Sequence, residues 1–236
     1  MPQGSQPKIV LHQWEMSPFC NKVRMCLRHK GLDYSVVNYN GLLATRASTL
    51  SKVGKLPVLE WDGERMQDSA RIAEFLDQKV ATNLLYPKQR RDLAEARYWE
   101  DWAGQSLYFY EIYFRMLDPV SLERGLDLVA EGRPGWERAV LKFVFKRRYP
   151  RKLKEQGLAR MERAEVEKRF FTLLEDLDAL LDGREYLVGV GGAASIADFS
   201  VAGQLDELLR TSDLAPRVLA YPRLKAWLAR LPSGRS

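Results

Sequence analysis

Residues 15–24, EMSPFCNKVR, place Ser17 and Cys20 three positions apart, with Pro18 between them. Two cysteines at this spacing form a redox motif, whose first thiol lies at a helix N-terminus that lowers its pKa. Here a serine takes the first place, and a serine cannot form a disulfide. The segment therefore has three interpretations: a redox motif reduced to Cys20, a hydroxyl that activates the thiol of another molecule, or a helix cap without chemistry.

A second candidate segment is Lys55-Leu56-Pro57, where a proline opens a predicted strand. A trans proline at the start of a strand is ordinary and needs no functional explanation. With a cis Leu56-Pro57 bond, the backbone N–H and C=O of Leu56 would turn outward and could pair with an extended peptide. If this segment binds a peptide, we therefore expect the cis form.

Asp68 and Ser69 form a third candidate at the start of a predicted helix. In the simplest interpretation Ser69 is the N-cap and Asp68 interacts with the positive end of the helix. In the functional interpretation they bind the head group of an amino acid, the Asp68 carboxylate taking its ammonium. The Ser69 hydroxyl and the first-turn N–H groups would then take its carboxylate. Neither this segment nor the previous one decides the matter alone.

The hydrophobic pattern predicts the elements that position the three segments. Strand patterns at residues 8–13 and 33–40 flank a helix that begins after Ser17 and ends at Gly31, which predicts a β-α-β unit. Two further strands then follow and lead into the helix at Ser69. Their predicted positions are residues 56–61 and 65–67, joined by a tight turn at Asp62-Gly63.

Beyond Asp92 the pattern is helical almost throughout. The composition changes near residues 81–88, which indicates a linker. We therefore predict an α/β domain at residues 1–81 and an all-helical domain at residues 89–236. Ser195 and Asp198 form a Ser-x-x-Asp capping box before an apolar helix in the second domain.

One predicted helix of the second domain, residues 98–116, is dense in aromatic side chains. Trp102, Gln105 and Phe109 fall on one stripe if the helix is regular. Core packing and a dimer contact account for most of these residues. The remainder could line an apolar cleft between the domains, which is a usual place for a small-molecule pocket.

The net charge of +6 and the isoelectric point near 9.3 raise nucleic acids and membrane surfaces as possible partners. Much of the excess lies in residues 142–154, KFVFKRRYPRKLK. With no accompanying binding motif, a helix end and loop with solvated charges is the better interpretation, so a nucleic-acid partner is not favoured.

The residues that bind metals or form disulfides are few: two cysteines and two histidines. Cys20 and Cys26 face different sides of one predicted helix, so we expect neither a disulfide framework nor a metal site. No apolar run reaches the length of a membrane span, and the first residues lack the pattern of a secretory signal. We therefore expect a cytoplasmic protein.

Taken together, the order of these segments resembles the cytosolic glutathione transferase (GST) family over nearly the whole chain. The segments that match are SPF…KVR, GKLPVL, DSARIAEFLD and SIADFSV. The resemblance implies a thioredoxin-like βαβ-ββα first domain, an all-α second domain and a homodimer. The serine at position 17 is similar to that of the tau- and zeta-type enzymes. Most relatives carry Glu-Ser where this chain has Asp68-Ser69.

The resemblance also implies a role for each candidate residue. Glutathione would be the co-substrate, and Ser17 would be the catalytic residue that donates a hydrogen bond to its sulfur. The residues implied to bind the tripeptide are Phe19, Lys55, Leu56, Pro57, Asp68 and Ser69. The second substrate would be a small apolar electrophile, as in detoxification, with Trp102, Gln105 and Phe109 in its wall, and no metal is implied.

Two alternatives to this function stay open. Some proteins with this fold are binding or assembly modules that have lost the chemistry, and the basic stretch at residues 142–154 favours that class. The other alternative is a glutathione-dependent isomerase or reductase that uses Cys20 as its thiol.

Overall fold

The computed structural model describes residues 7–235. Four strands form one mixed sheet in the order β2-β1-β3-β4. Their bounds are β1 Ile9–Gln13, β2 Ser35–Asn38, β3 Val58–Trp61 and β4 Glu64–Gln67. Strands β1 and β2 are parallel, whereas β1 pairs with β3, and β3 with β4, in antiparallel orientation.

Helix α1 (Pro18–His29) joins β1 to β2, because parallel neighbours need a crossover connection. Between β2 and β3 lie a 3₁₀ turn at Gly41–Arg46 and the short helix α2 (Ala47–Leu50), and α3 (Ser69–Lys79) follows β4. This order confirms the predicted βαβ-ββα unit. The predicted strand at residues 56–61 begins two residues too early, because the ladder to β1 starts at Val58.

After Lys79 the chain is mainly helical. The helices are α4 Arg90–Trp102, α5 Tyr108–Leu117, α6 Pro119–Val129, α7 Gly135–Gln156, α8 Arg163–Leu180, α9 Ile196–Thr211, α10 Ala215–Val218 and α11 Pro222–Arg230. The predicted fold class, a small sheet with helices followed by an all-α part, is confirmed. The domain bounds at residues 1–81 and 89–236 stay a prediction.

Two helices differ from the sequence-based expectation. A π-helical turn at Ala103–Leu107 separates α4 from α5, so the segment at residues 98–116 is not a regular α-helix. Such a turn shifts the side-chain register, and the stripes expected for 3.6 residues per turn no longer hold. The basic stretch at residues 142–154 is not a helix end and loop. It lies inside α7, which continues through Pro150.

Helix α9 is the central helix of the second half and is buried along most of its length. It packs against α1, and Gly203 is the point of closest approach. A Cβ atom at this position would lie 2.9 Å from the carbonyl oxygen of Pro18 and 3.3 Å from the backbone nitrogen of Lys22. The absence of a side chain at Gly203 therefore lets α9 lie directly on the first turns of α1.

The buried carboxylate of Asp198 fixes the start of α9. It accepts hydrogen bonds from the backbone N–H groups of Ser195 at 2.9 Å and Leu187 at 2.8 Å, and from Trp227 Nε1 at 2.8 Å. The predicted Ser195–Asp198 capping box is confirmed. The two further contacts connect this helix start to the preceding loop and to α11. Burial raises the pKa of Asp198, and these hydrogen bonds oppose the rise.

Replacing Asp198 with alanine should lower the free energy of unfolding by about 3 kcal/mol or more. The reason is that the change leaves several buried donors without an acceptor, each costing roughly 1–3 kcal/mol. Ser195→Ala removes only a cap and should cost about 1 kcal/mol. Urea unfolding of both variants beside the parent chain measures the difference. If the two variants lost similar free energies of unfolding, Asp198 would act only as a capping residue.

Candidate functional site

Ser17 lies at the N-cap of α1, directly after the turn that leaves β1. Its backbone is extended, with φ −94° and ψ 120°, and its Oγ accepts a hydrogen bond from the Cys20 N–H at 3.4 Å. Pro18 occupies the first helical position, where its fixed φ suits the helix and its missing N–H costs nothing. The residue is 7% exposed, at the positive end of the helix dipole. The sequence-based cap is confirmed.

Cys20 and Cys26 are both fully buried in α1. Burial raises the pKa of the Cys20 thiol to about 11, and a hydrogen bond with the Ser17 side chain opposes part of that rise. Burial raises the pKa of Cys26 to about 12. Since the thiolate is the reactive form, both thiols are protonated and inert at neutral pH. This argues against a reductase that uses Cys20.

Buried arginines hold the turn that precedes Ser17. Arg115, on α5, donates from Nη1 to the carbonyl oxygen of Met16 at 2.6 Å. Arg24, on α1, donates from Nη2 to the carbonyl oxygen of Glu15 at 3.3 Å. The carboxyl group of Glu111 lies 2.8 Å from Arg115. Burial raises the pKa of Glu111 to about 8, and the Arg115 charge opposes part of that rise. The position of the Ser17 backbone thus depends on a helix of the all-helical part of the chain, which follows Lys79.

The Leu56-Pro57 bond is cis, as expected for a peptide-binding segment. Pro57 is buried and Leu56 half-buried, while the Lys55 side chain is exposed. Within residues 7–235 the backbone N–H and C=O of Leu56 have no hydrogen-bond partner. An extended peptide beside this segment would find both groups available.

The cap of α3 is Asp68, and the expectation that Ser69 caps the helix is wrong. Asp68 has a positive φ of 76°, and its Oδ1 accepts from the N–H groups of Ala70 at 3.0 Å and Arg71 at 3.2 Å. Ser69 is the first residue of the helix and is buried. The Asp68 carboxylate is exposed, so its second oxygen is open to a ligand.

A buried polar cluster lies behind Ser69. The Nζ atom of Lys22 is 3.5 Å from the Ser69 hydroxyl and 2.5 Å from Oε1 of Glu100 on α4. The Tyr86 hydroxyl donates to Oε2 of Glu100 at 2.9 Å. These contacts join α1, α3 and α4 with buried charges that are paired, as burial requires.

The predicted second-substrate wall is only partly assembled. The Phe19 ring packs on Tyr108 with centroids 5.3 Å apart, and the Phe109 ring also contacts Tyr108, with centroids 5.5 Å apart. Trp102 packs on Trp99 instead, at 5.5 Å, and Gln105 is exposed in the π-helical turn. Tyr108 thus contacts both Phe19 and Phe109. The sequence analysis did not single out Tyr108.

Helix α7 adds a second aromatic wall and a cation. Phe145 meets Trp14, in the turn before Ser17, with ring centroids 6.1 Å apart. Lys152 Nζ lies 3.1 Å from the Tyr108 hydroxyl oxygen. Burial lowers the pKa of Lys152 and raises that of Tyr108. These partners lie 131 and 44 positions apart along the chain, respectively, so local spacing could not have revealed them.

The described residues hold neither a metal cluster nor a membrane-spanning helix. Between residues 7 and 235, no group of three or more His, Cys, Asp or Glu side chains is arranged to hold a metal ion. None of the helices in that range has the length and apolar character needed to cross a membrane.

Comparison with known proteins gives matches to two family models. The model described as "Glutathione S-transferase, N-terminal domain" matches residues 11–84, and "Glutathione S-transferase, C-terminal domain" matches residues 160–230. The two matches together span more than half of the chain. They cover the Ser17, Leu56-Pro57 and Asp68 segments in the first half and the capping box in the second.

Curated relatives and solved structures carry the same family name. A glutathione S-transferase of Pseudomonas putida is 27% identical over 128 residues, which cover 51% of this chain and 58% of the relative. Glutathione S-transferase U3 of Arabidopsis thaliana is 29% identical over 119 residues, which cover 49% and 51%. The chain thus spans about half the length of these relatives.

The solved structures match over a longer part of the chain. A glutathione S-transferase from Rhodospirillum rubrum has a TM-score of 0.63 at 22% identity and covers 94% of this chain and 86% of its own. One from Methylobacillus flagellatus, solved with gsh bound, has a TM-score of 0.59 at 23% identity, with 94% and 93% covered. At these identities the likeness is one of fold.

Neither cysteine should react with an aromatic disulfide reagent while the protein is folded. At pH 8 the buried thiols remain protonated, because their pKa values are about 11 and 12, and the reagent cannot reach them. Absorbance of the released thiolate measures the reaction, and both thiols should react in guanidinium. Rapid modification of one thiol in the folded protein, lost in Cys20→Ala, would identify Cys20 as a reactive group.

Proposed function

The chain belongs to the glutathione S-transferase family, and from this premise we propose that it joins the sulfur of glutathione to an apolar electrophile with Ser17 as the activating residue. The observation that supports this role most directly is the position of Ser17. Its hydroxyl lies at the N-cap of α1, next to two cysteines that are too deeply buried to compete as nucleophiles.

The proposed action of Ser17 is to stabilise an anion. A free thiol has a pKa of about 8.5, so little thiolate is present at neutral pH. A hydrogen bond from the Ser17 O–H, together with the positive end of α1, favours the thiolate of bound glutathione. The Oγ atom accepts from the Cys20 N–H and also makes a hydrogen bond with the Cys20 side chain. A protonated Cys20 thiol can act as the donor in that second contact, and the Ser17 hydrogen can then point to the sulfur. Serine remains neutral throughout.

The tripeptide is proposed to lie along the edge formed by Leu56 and Asp68. The free N–H and C=O of Leu56 would pair with its cysteinyl backbone, and the Asp68 carboxylate would take the γ-glutamyl ammonium. Because Asp68 already binds the Ala70 and Arg71 N–H groups, the γ-glutamyl carboxylate would rely on the Ser69 hydroxyl and N–H. Lys55 and Phe19 complete the proposed site.

A second candidate function is a binding or assembly module without turnover. It is supported by the outward face of α7, where Trp136 is 61% and Phe143 58% exposed. Retention on immobilised glutathione with turnover of 1-chloro-2,4-dinitrobenzene would support the enzyme. Absence of both would favour the module. The homodimer, the cytoplasmic location and the two-domain division are part of the same proposal.

Ser17→Ala should reduce conjugation of 1-chloro-2,4-dinitrobenzene about 100-fold or more, since one donor to a developing anion is worth a few kcal/mol. Ser17→Thr keeps both cap and hydroxyl and should retain most of the activity. The ultraviolet absorbance of the bound thiolate, followed against pH, should show a higher glutathione pKa in Ser17→Ala alone. Full activity in Ser17→Ala, or its loss in Cys20→Ala, would contradict the assignment.

Asp68→Asn should weaken glutathione binding about tenfold or more, because it removes a charge-assisted contact worth roughly 1.5–3 kcal/mol. Asparagine is an equally good N-cap and tolerates a positive φ, so stability should change little. Calorimetric titration and thermal melting of the same sample separate the two effects. An unchanged dissociation constant would leave Asp68 as a helix cap only.

A further inference from the structure

We propose that the second-substrate cleft binds an anionic group, a carboxylate or sulfonate, through Lys152 and its Tyr108 partner. This inference rests on the proposed function and specifies the class of electrophile. The substrates would be aromatic or apolar molecules that carry an oxyanion at the end remote from the reacting carbon.

The environment of Lys152 is unusual for an ammonium group. The side chain is half-buried, with Nζ 4.5 Å from the centre of the Tyr108 ring and 5.4 Å from that of Phe109. Its one hydrogen bond is to the Tyr108 hydroxyl at 3.1 Å. An ammonium has three donors, so two remain available. Among residues 7–235 no carboxylate lies within 4.0 Å of it.

The surrounding charges do not supply the missing partner. Arg148, one turn earlier on α7, also forms no ion pair with a described carboxylate, and it adds to the positive potential at Lys152. The Glu111 carboxylate acts on Lys152 only at a distance, because it is held by Arg115. Glu155 pairs with Arg151 at 3.0 Å. The cleft therefore holds a partly desolvated positive charge without a counter-ion.

An open groove of about 570 Å³ runs along α7 beside this charge. Its lining lies on α7 alone: the cations Lys152, Arg148, Arg147 and Arg151, the Glu155 carboxylate that Arg151 holds, and the apolar Phe143 and Val144. The mixture of apolar surface with several cations suits an aromatic anion. The remaining donors of Lys152 can bind such an anion at the edge of the groove.

The cation is connected to the proposed site of the thiolate through aromatic contacts. Phe19, in the first turn after Ser17, packs on Tyr108, and Tyr108 holds Lys152. A substrate with its reacting carbon beside the glutathione sulfur can therefore lie along Phe19 and Tyr108 and place its far end at Lys152. A neutral substrate in the same position would desolvate Lys152 further without compensation, which disfavours it.

The test compares two ligands that differ in charge, 3,5-dinitrobenzoate and 3,5-dinitrobenzamide. Quenching of tryptophan fluorescence gives both dissociation constants on the full chain, with and without glutathione. The parent chain should prefer the benzoate, and Lys152→Met should lower this preference about tenfold or more. Lys152→Arg keeps the charge and should retain the preference. Lys154→Met removes an exposed lysine from the same helix and should leave the preference unchanged.

Each other result contradicts the inference. An equal effect of Lys152→Met on both ligands would mean that Lys152 contributes packing only. If Lys154→Met lowered the preference for the benzoate as much as Lys152→Met does, the total charge of α7 would be responsible. A parent chain without preference has no anion site.

A separate turnover measurement keeps the inference distinct from the proposed function. With 4-chloro-3-nitrobenzoate the glutathione sulfur forms a bond to the ring carbon, and chloride leaves with the electron pair of the carbon–chlorine bond. The binding data concern Lys152 and do not require turnover. If no chloronitroarene were conjugated but the benzoate were still bound in preference to the benzamide, the proposed chemistry would be contradicted and the anion site would be supported.

Discussion

Helices α1 and α9 lie so close together that only a glycine fits at their crossing, and the geometry of the candidate site depends on this contact. Gly203 faces the carbonyl of Pro18, the residue that follows Ser17. Because Asp198 fixes where α9 begins, it also fixes where Gly203 meets α1. A shift of one residue in that start would bring a side chain against the first turn of α1. The N-cap of α9, which is remote in sequence from Ser17, thus sets the position of the Ser17 hydroxyl.

Buried charges make the same connection between the α/β part and the all-helical part of the chain. Arg115 reaches the turn before Ser17, and Lys22 joins α1 to Glu100 of α4. Removing charges from water is costly, so such groups persist only when each has a partner. Each contact ties a segment of the α/β part to a helix of the all-helical part that follows Lys79. The site is therefore organised before a ligand arrives, which reduces the ordering cost of binding.

The parts of the fold that follow from local pattern were predictable, and those that depend on distant contacts were not. Proline at the first helical position, the Asp62-Gly63 turn and the Ser195–Asp198 box are decided within a few residues. The choice between Asp68 and Ser69 as the N-cap of α3 could not be made from the sequence, because both residue types cap helices and only the positive φ of Asp68 separates them. The π-helical turn has no clear sequence signal. Arg115 and Lys152 act on residues 99 and 44 positions away.

In the proposed function, the environment of Cys20 favours transfer of the glutathione thiol over exchange of a disulfide. A thiolate at position 20 would lie one turn from the proposed glutathione sulfur and could form a mixed disulfide with it under oxidising conditions. Burial keeps Cys20 protonated, with its pKa raised to about 11, and removes that reaction. The cations of α7 act in the opposite sense on ligands from solvent, since positive potential raises the local concentration of anions, and glutathione carries net negative charge. In the proposed function, the α/β part of the chain thus keeps its own thiol unreactive, and the cations of α7 would attract the thiol of glutathione.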